Sequence, residues 1–179
     1  MPMQRLTSAD AESLLQHDFQ TARVGRRLPP ATLAEWVGDG PAAVRAERLF
    51  AGRRAVVVGV PGAFTPVCTG RHVPAFVASA AKLRASGFSL LACIAPNDPW
   101  TLRRWAEEVD PAGELRFLSD GNLHFTRALG LCMQDEAHFL GERSKRYSMI
   151  VEDAVIRRIS VEESIFDVGC SAAEQLLLD

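Results

Sequence analysis

Short apolar runs alternate with amphipathic stretches along most of the chain. The run AVVVGV (Ala55–Val60) is rich in β-branched residues and is followed by proline and glycine, a combination typical of a buried strand. FSLLACI and LRFLSD repeat this pattern further along, and YSMIVED and AVIRRISV together predict a hairpin around Glu152-Asp153. The other predicted strands lie at Ala31–Trp36, Ala55–Val60, Phe88–Ile94 and Leu115–Asp120.

The stretches between these strands carry helical signals. Apolar residues recur at a spacing of about 3.6 residues after Val73, until Gly87 ends the pattern. A proline in the first turn and a glycine after the last turn mark two further helices. The predicted helices are Val73–Gly87, Asp98–Val109, Asn122–Leu129, a short N-terminal one at Thr7–His17, and a C-terminal one reaching Leu178 behind a capping box at Ser171–Glu174.

The order strand, helix, strand, helix, strand, then a hairpin and a last helix, predicts a central mixed β-sheet flanked by helices on both faces. A thioredoxin-like α/β sandwich fits this order best. A chain of 179 residues is long enough for one such domain and too short for two. We expect residues 1–22 to be an N-terminal extension of unknown role and residues 23–179 to form the domain.

Composition and charge narrow the choice of partners. The apolar fraction of 47% and the charged fraction of 23% are ordinary for a globular protein. A formal net charge of −2 gives no reason to expect nucleic acid or an anionic membrane as partner. No run approaches the roughly 20 apolar residues of a membrane span, and the first residues lack the apolar core of a signal peptide. We therefore expect a cytoplasmic protein with no membrane partner.

The cysteines Cys68, Cys93, Cys132 and Cys170 are widely and irregularly spaced. They form no C-x-x-C pair and no Cys/His cluster with zinc spacing. A framework of structural disulfides is not expected in a cytosolic chain of this size. Each sulfur therefore either packs in the core or takes part in redox chemistry, and its position has to decide which.

The segment VPGAFTPVCTG (Val60–Gly70) places Cys68 where a strand ends and a helix begins. Unpaired N–H groups and the dipole at a helix start stabilise a thiolate over a thiol. The hydroxyl of Thr65 can donate to this thiolate or accept from an incoming O–H group. Pro61 and Pro66 stiffen the loop, so that only a small substrate would reach the sulfur. The alternative is a passive cysteine at a helix start.

Arg71 stands where a disulfide-exchange enzyme of this fold would carry the second cysteine of C-x-x-C. That second thiol resolves the mixed disulfide, so its absence disfavours simple thiol–disulfide exchange. A lone activated thiolate in a narrow pocket suits attack on the O–O bond of a peroxide, which gives a sulfenic acid.

Three long motifs, PGAFTPVC, CIAPNDPWTLRRW and RSKRYSMIVEDAVIRRISVEE, extend this interpretation. Together they resemble the peroxiredoxins of the type II, peroxiredoxin-5-like branch, in the thioredoxin-like superfamily. The first motif matches the signature Pro-x-x-x-Thr-x-x-Cys of that family. The resemblance runs from about Val24 to Leu178, which leaves out only the N-terminal extension.

The resemblance implies a role for each matching residue. Cys68 is implied to be the peroxidatic cysteine, Thr65 to orient peroxide and thiolate, and Pro61 to shield the site. Arg146 is implied to hold the thiolate and polarise the peroxide. That task suits a guanidinium, which never deprotonates and can donate to two oxygens at once. Its neighbour Arg143 is interpreted as one charge of a solvated cluster.

The sequence leaves open which thiol meets Cys68 after oxidation. Cys170 follows the VEE segment at the distance of an intramolecular resolving cysteine in this branch, but the flanking SIFDVGCS differs from the family. It is therefore either a resolving cysteine, reached through local unfolding, or an incidental loop thiol. Cys93 lies in an apolar run and is expected to pack in the core, with a weaker claim to resolve. Cys132 carries no supporting motif, and His72 is interpreted as a hydrogen-bonded structural residue rather than a general base.

Other prominent side chains are assigned to packing or to the surface. Trp100 and Trp105 lie on an amphipathic helix and are expected to pack. The adjacent pairs Glu107-Glu108 and Glu162-Glu163 do not converge on one point, so they are expected on the solvated surface.

The leading hypothesis is a thiol peroxidase that reduces hydrogen peroxide and organic hydroperoxides through a Cys68 sulfenic acid. Electrons would come from thioredoxin, glutaredoxin or glutathione, and no bound cofactor or metal is expected because the sequence has no metal, haem or nucleotide motif. The family implies a homodimer. The alternatives are a peroxide-sensing redox switch or chaperone with little turnover, and a thiol–disulfide oxidoreductase, which the C-x-x-R spacing disfavours.

Overall fold

A computed structural model describes residues 22–177, so the helix predicted at Thr7–His17 lies outside the described residues. The strands are β1 (Thr32–Val37), β2 (Gly40–Arg45), β3 (Arg54–Gly59), β4 (Leu90–Ala95), β5 (Arg116–Ser119), β6 (Cys132–Asp135), β7 (Gly141–Ser144), β8 (Tyr147–Glu152) and β9 (Val155–Val161). Within residues 22–177, seven of them form one sheet in the order β2-β1-β5-β4-β3-β8-β9, while β6 and β7 pair as a separate hairpin.

The centre of the sheet is built from the most apolar strands. β3 pairs in parallel with β4 and antiparallel with β8, so Val57 lies between Ala92 and Met149. Strands that are buried on both faces read as continuous apolar runs rather than as alternating ones, as β3 and β4 do. The mixed sheet predicted from the order of elements is confirmed.

Successive residues of β3 serve two different cores, because side chains alternate across a strand. Ala55 and Val57 belong to one apolar cluster, and Val56 and Val58 belong to the other. Helices cover both clusters, as predicted. The helices are α1 (Ala46–Leu49), α2 (Val73–Ala85), α3 (Pro99–Val109) and α4 (His124–Ala128).

The helices divide between the two faces by their buried side chains. The buried side chains of α2 and α3 pack on the cluster of Val56 and Val58. Trp105 is fully buried there, and its Nε1 atom donates to Thr69 Oγ1 at 3.0 Å. Those of α1, together with Phe125 of α4, pack on the opposite cluster. Burying a large apolar side chain contributes about 1.5–3 kcal/mol, so these contacts fix the helices on the sheet. No helix within the described residues is long and apolar enough to cross a membrane.

Several local predictions were wrong. Trp100 is 60% exposed rather than packed, because it lies in the first turn of α3 and contacts Trp36 edge-on. The predicted hairpin between β8 and β9 is confirmed, and its turn consists of Asp153 and Ala154, which both adopt positive φ angles. The strand β2 and the β6–β7 hairpin were not predicted, because their short sequences lack a clear alternation of apolar and polar residues.

The predicted C-terminal capping box is also wrong. The segment Ala173–Leu177 is a short 3₁₀ helix. The hydroxyl of Ser171 donates to Glu162 and lies 3.2 Å from His72 Nε2, so it bonds to distant parts of the chain instead of capping a helix. A tertiary network therefore takes over a side chain that local sequence assigns to a cap.

Candidate active site

Cys68 begins a π-helical turn, Cys68–His72, which leads directly into α2. In this turn the N–H of Val73 donates to the carbonyl of Cys68. π turns inside helices are rare and frequently occur at functional sites. Cys68 has no exposed surface and belongs to the apolar cluster beneath α2. As predicted, it lies where the loop after a central strand meets a helix.

The loop between β3 and Cys68 is held by polar contacts. Thr65 Oγ1 donates to Gly62 O at 2.9 Å, and Thr65 O accepts from Thr69 N at 3.0 Å. The amide of Ala63 donates to Asn97 Oδ1 at 2.8 Å. Asn97 follows Pro96 in the loop after β4 and was not predicted as a site residue, although a Pro-Asn pair after a buried strand is a recognisable signal for a turn.

Arg146 is brought to this loop by sheet register. β8 runs antiparallel to β3 and pairs Tyr147 with Gly59, the last residue of β3. A Cβ atom at Gly59 would collide with the Tyr147 ring, so glycine is required for the two strands to pack here. The residue before Tyr147 therefore lies at the end of β3, where the Cys68 loop begins.

The Arg146 guanidinium is buried, with an exposed fraction of 2%. Its Nη1 atom donates to Cys68 Sγ at 3.4 Å and lies 3.0 Å from His72 Nδ1. Its Nη2 atom donates to Ile165 O at 2.6 Å. The neighbouring Arg143 does not take part in these contacts.

His72 links the helix of Cys68 to a segment near the C-terminus. We call residues 162–171 the strap. His72 Nε2 lies 3.1 Å from Ser171 O, at the end of the strap. The ring is fully buried and meets Phe76 edge-on, with centroids 5.4 Å apart. Burial disfavours the charged ring, and the nearby Arg146 does the same, so the pKa of His72 falls to about 4 in spite of the bond to Ser171.

Glu162 closes the strap on itself. Its Oε1 atom accepts hydrogen bonds from the amides of Gly169 and Ser171 and from the Ser171 hydroxyl, each at 2.7 Å. Partial burial would raise the pKa of this carboxyl group, but these hydrogen bonds outweigh it and lower the pKa to about 2. The interpretation of Glu162 as a solvated surface charge was therefore wrong.

The other cysteines differ in exposure. Cys93 is fully buried in the same cluster as Cys68, and its burial, together with the nearby Cys68, raises its pKa well above the ordinary value. Cys132 lies in β6, where burial and Glu142 raise its pKa to about 11. Cys170 lies exposed in the strap, its Sγ donates to Val161 O at 3.5 Å, and burial and Glu162 raise its pKa.

A cavity of about 230 Å³ opens beside Arg146. The side chains around it are mostly apolar. It is lined by Pro61, Thr65, Pro66, Val67, His138, Leu140, Arg146, Ile165 and Phe166. The rings of His138 and Phe166 meet edge-on with centroids 5.0 Å apart, joining the β6–β7 turn to the strap. Three residues singled out from the sequence, Pro61, Thr65 and Arg146, thus line one cavity, and Arg146 connects it to Cys68.

Among residues 22–177, no three His, Cys, Asp or Glu side chains converge so that they could hold a metal ion. The functional groups of this site are the thiol of Cys68, the guanidinium of Arg146, the imidazole of His72 and the hydroxyl of Thr65. Such groups suit proton transfer and the stabilisation of an anion.

Comparison with known proteins gives consistent matches. The Redoxin family matches residues 23–177. Peroxiredoxin-2E-2, chloroplastic, from Oryza sativa subsp. japonica is 41% identical over 161 residues, covering 87% of this chain and 72% of the rice protein. Reduced Prx3 in complex with H2O2 from Vibrio vulnificus is 38% identical, with a TM-score of 0.82, covering 88% of this chain and 98% of that one. Peroxiredoxin 5 from Alvinella pompejana is 33% identical, with a TM-score of 0.72, covering 80% and 92%.

The fold and these matches define a redoxin with the thioredoxin-like architecture predicted from the order of elements. Similarity to plant type II proteins and to a peroxiredoxin 5 extends over most of the chain. The chain belongs to the peroxiredoxins of the type II, peroxiredoxin-5-like branch, and it is a thiol peroxidase.

Proposed function

We propose that this peroxidase works through Cys68, whose thiolate attacks the O–O bond of a peroxide. The sulfur takes up one oxygen and becomes a sulfenic acid, the O–O bond breaks, and the other oxygen leaves as water or an alcohol after taking up a proton. The observation that carries this assignment is the 3.4 Å contact from Arg146 Nη1 to Cys68 Sγ, at a cysteine that has no exposed surface. A permanently charged donor on a buried sulfur favours the thiolate.

Arg146 would also stabilise the leaving oxygen. A guanidinium has five N–H groups, and its bonds to Cys68, His72 and Ile165 use three of them within the described residues. The remaining donors are available to the charge that develops as the O–O bond breaks. Donors fixed in advance around a developing negative charge are among the largest contributions to catalysis.

Thr65 and Pro61 would position the peroxide. The Thr65 hydroxyl proton is committed to Gly62 O, so its lone pairs are free to accept the O–H group of a hydroperoxide. Pro61 lines the same cavity and has no N–H group, so it adds no competing donor to the cavity. Of the two roles that the sequence allowed for the Thr65 hydroxyl, donor to the thiolate or acceptor from the peroxide, the bond to Gly62 supports the acceptor role.

The cavity supports hydrogen peroxide and organic hydroperoxides as substrates. It holds a polar end, at Thr65 and Arg146, and an apolar rim that includes Leu140 and Phe166. The polar end matches the –OOH group, and the rim matches an alkyl group. The similar protein from Vibrio vulnificus was crystallised with H2O2.

Cys170 is the better candidate to resolve the sulfenic acid. It precedes Ser171, which contacts His72 one turn after Cys68, and it lies in an exposed strap that can open. Its thiol would displace water from the sulfenic acid and form a disulfide. Cys93 is fully buried, which restricts its movement and disfavours its thiolate. Electrons to reduce the disulfide would come from thioredoxin, glutaredoxin or glutathione, with no bound cofactor.

Three expectations from the sequence stay predictions. They are the division into an extension at residues 1–22 and a domain at residues 23–179, the homodimer, and the cytoplasmic location. The rice relative is a chloroplastic protein, so a fluorescent fusion of the full chain is the direct test of where this protein is located.

Mass spectrometry after one equivalent of peroxide tests the assignment, because it shows whether Cys68 carries a sulfenic acid or a disulfide to Cys170. Cys68→Ser should abolish peroxide consumption, whereas Cys170→Ser should keep the first turnover and change the dependence on reductant. A Cys68→Ser protein that consumes peroxide at the parental rate would contradict the proposal. Steady-state turnover with excess thioredoxin separates an enzyme from a redox switch or chaperone, which would be oxidised once and stop.

A further inference from the structure

A continuous polar path runs from Cys68 to the strap through buried groups. Arg146 Nη1 contacts Cys68 Sγ and His72 Nδ1, and His72 Nε2 contacts Ser171 O. Ser171 in turn donates to Glu162. His72 contacts the Arg146 guanidinium with one ring nitrogen and the strap with the other. Its place in the path is not explained by packing alone.

The direction of each hydrogen bond fixes the protonation of His72. A guanidinium can only donate, so His72 Nδ1 must accept from Arg146 Nη1 across 3.0 Å. The ring is then neutral and carries its proton on Nε2, which donates to Ser171 O. In the opposite tautomer the Nδ1–H group would face an N–H group of Arg146, and the bare Nε2 atom would face the carbonyl oxygen of Ser171, so neither contact would be a hydrogen bond. The path therefore has one consistent arrangement of protons.

We propose that His72 is a positioning residue, whose neutral imidazole accepts from Arg146 and holds the guanidinium against Cys68 while the strap anchors the ring. This proposal rests on the proposed roles of Cys68 and Arg146 and adds a residue that never touches the peroxide. The second contact of Arg146, from Nη2 to Ile165 O, comes from the same strap. The strap thus fixes the guanidinium twice, once directly and once through His72.

The environment of the ring agrees with this role. His72 is fully buried, and burial together with Arg146 brings its pKa down to about 4, so the ring is an acceptor at neutral pH. A charged ring would have no lone pair at Nδ1 and would repel Arg146. In histidines generally, the hydrogen bond made by one ring nitrogen fixes the tautomer. It thereby decides whether the other nitrogen can accept a hydrogen bond.

Two substitutions separate the contacts of the ring. In His72→Asn the amide oxygen can take the place of Nδ1 and accept from Arg146, whereas the link to Ser171 is lost. In His72→Gln the longer amide can reach Ser171, whereas the acceptor facing Arg146 is lost. The measurement is the rate of Cys68 oxidation by hydrogen peroxide in rapid-mixing experiments, divided by the rate of Cys68 alkylation by iodoacetamide. Both reactions need the thiolate, but only the first needs a donor on a leaving oxygen.

The ratio should fall by about 10- to 100-fold in His72→Gln, as expected for a misplaced catalytic group, and should fall clearly less in His72→Asn, which keeps the acceptor for Arg146 and loses only the anchor on Ser171. Equal losses in the two variants would show a merely structural role and overturn the proposal. An unchanged ratio in His72→Gln, or a loss confined to His72→Asn, would also overturn it.

The parent chain provides a test that needs no variant to fold. Nitrogen-15 NMR of the imidazole should show an unprotonated Nδ1 and a protonated Nε2 for His72 at neutral pH. A proton on Nδ1 would overturn the proposal. If peroxide fails to oxidise Cys68 in the parent chain, the proposed function is wrong, but the tautomer still decides where the ring places Arg146.

Discussion

The Nη1 atom of Arg146 lies 3.4 Å from the Sγ atom of Cys68, although 78 residues separate them in the sequence. The contact depends on two features of the sheet. β3 ends at Gly59 and delivers the loop that carries Cys68, and β8 pairs antiparallel with β3 so that Arg146 arrives at the same end. A one-residue slip of β8 would turn its side chains to the opposite face of the sheet. Sheet register is therefore part of the active-site geometry.

Arg146→Lys should lower the rate constant for oxidation of Cys68 by hydrogen peroxide by about 100- to 1,000-fold, the usual cost of losing a donor at a developing negative charge. Lysine keeps the charge but cannot contact Cys68, His72 and Ile165 at once. The measurement is rapid-mixing kinetics of the reduced protein. Arg143→Lys is the matched control, because it changes an arginine of the same cluster outside the contacts of Cys68, and it should keep the parental rate. A similar loss in both variants would contradict the role of Arg146.

The strap should limit how fast a disulfide forms between Cys68 and Cys170. Cys68 is fully buried and Cys170 lies in a strap closed by Glu162, so the strap must open before the sulfurs can meet. Glu162→Gln weakens the charge-assisted bonds to the strap amides. It should therefore speed disulfide formation after one equivalent of peroxide, followed by quenching and mass spectrometry.

Glu163→Gln is the control for this prediction, because the neighbouring carboxylate is exposed and does not accept the bonds that close the strap. It should form the disulfide at the parental rate. A slower reaction in Glu162→Gln would mean that the closed strap presents Cys170 rather than holding it back.

Much of this arrangement follows from sequence. The β-branched run of β3 and the prolines after it correctly place Cys68 between a strand and a helix, and the order of strands and helices correctly indicates a sheet covered on both faces. These features are local, so each is visible in a window of a few residues. The family motif then adds Arg146, which no periodic pattern distinguishes from Arg143.

The polar support of the site could not be predicted in this way. Asn97 holds the loop through Ala63 from 34 residues away, and His72 meets Ser171 across 99 residues. Such bonds depend on the path of the chain through the fold and leave no periodic signal. A local pattern even misleads at Ser171, where a capping box is replaced by contacts with His72 and Glu162.

Acid should open the strap. The folded-state pKa of Glu162 is about 2, below its ordinary value of 4.5, so the carboxylate stabilises the strap fully above pH 4.5 and loses this effect as the pH falls through 2. His72 acts in the same direction, because its pKa is about 4 in the folded chain and 6.5 ordinarily. The stability that its neutral ring gives to the folded strap therefore declines as the pH falls from 6.5 towards 4. The amide NMR signals of Gly169 and Ser171, which donate to Glu162, should shift as the pH is lowered through this range.

The variant Glu162→Gln has no carboxylate at this position, so the part of the shift centred near pH 2 should disappear in it. The part that comes from His72 should remain. Glu163→Gln should behave as the parent chain does. Amide signals that stay constant down to pH 2 in the parent chain would contradict the assignment of the bonds to Glu162.

Phe166 should set the preference for organic hydroperoxides over hydrogen peroxide. Its ring lines the cavity beside Arg146 and meets His138 edge-on, so it offers an apolar wall to the alkyl group of a substrate. Phe166→Ala removes this wall and should lower kcat/KM for cumene hydroperoxide by about tenfold, the usual scale for lost apolar contacts in a pocket. The value for hydrogen peroxide, which has no alkyl group, should change little.

The matched control is Val168→Ala, which shortens an apolar side chain of the same strap outside the cavity lining. It reproduces any general loosening of the strap and should leave the ratio of the two kcat/KM values unchanged. Because Arg146 is held through Ile165 by this strap, loosening alone would slow both peroxides together. A parallel loss for both substrates in Phe166→Ala would therefore assign the ring to strap stability, whereas a loss confined to cumene hydroperoxide assigns it to substrate selection.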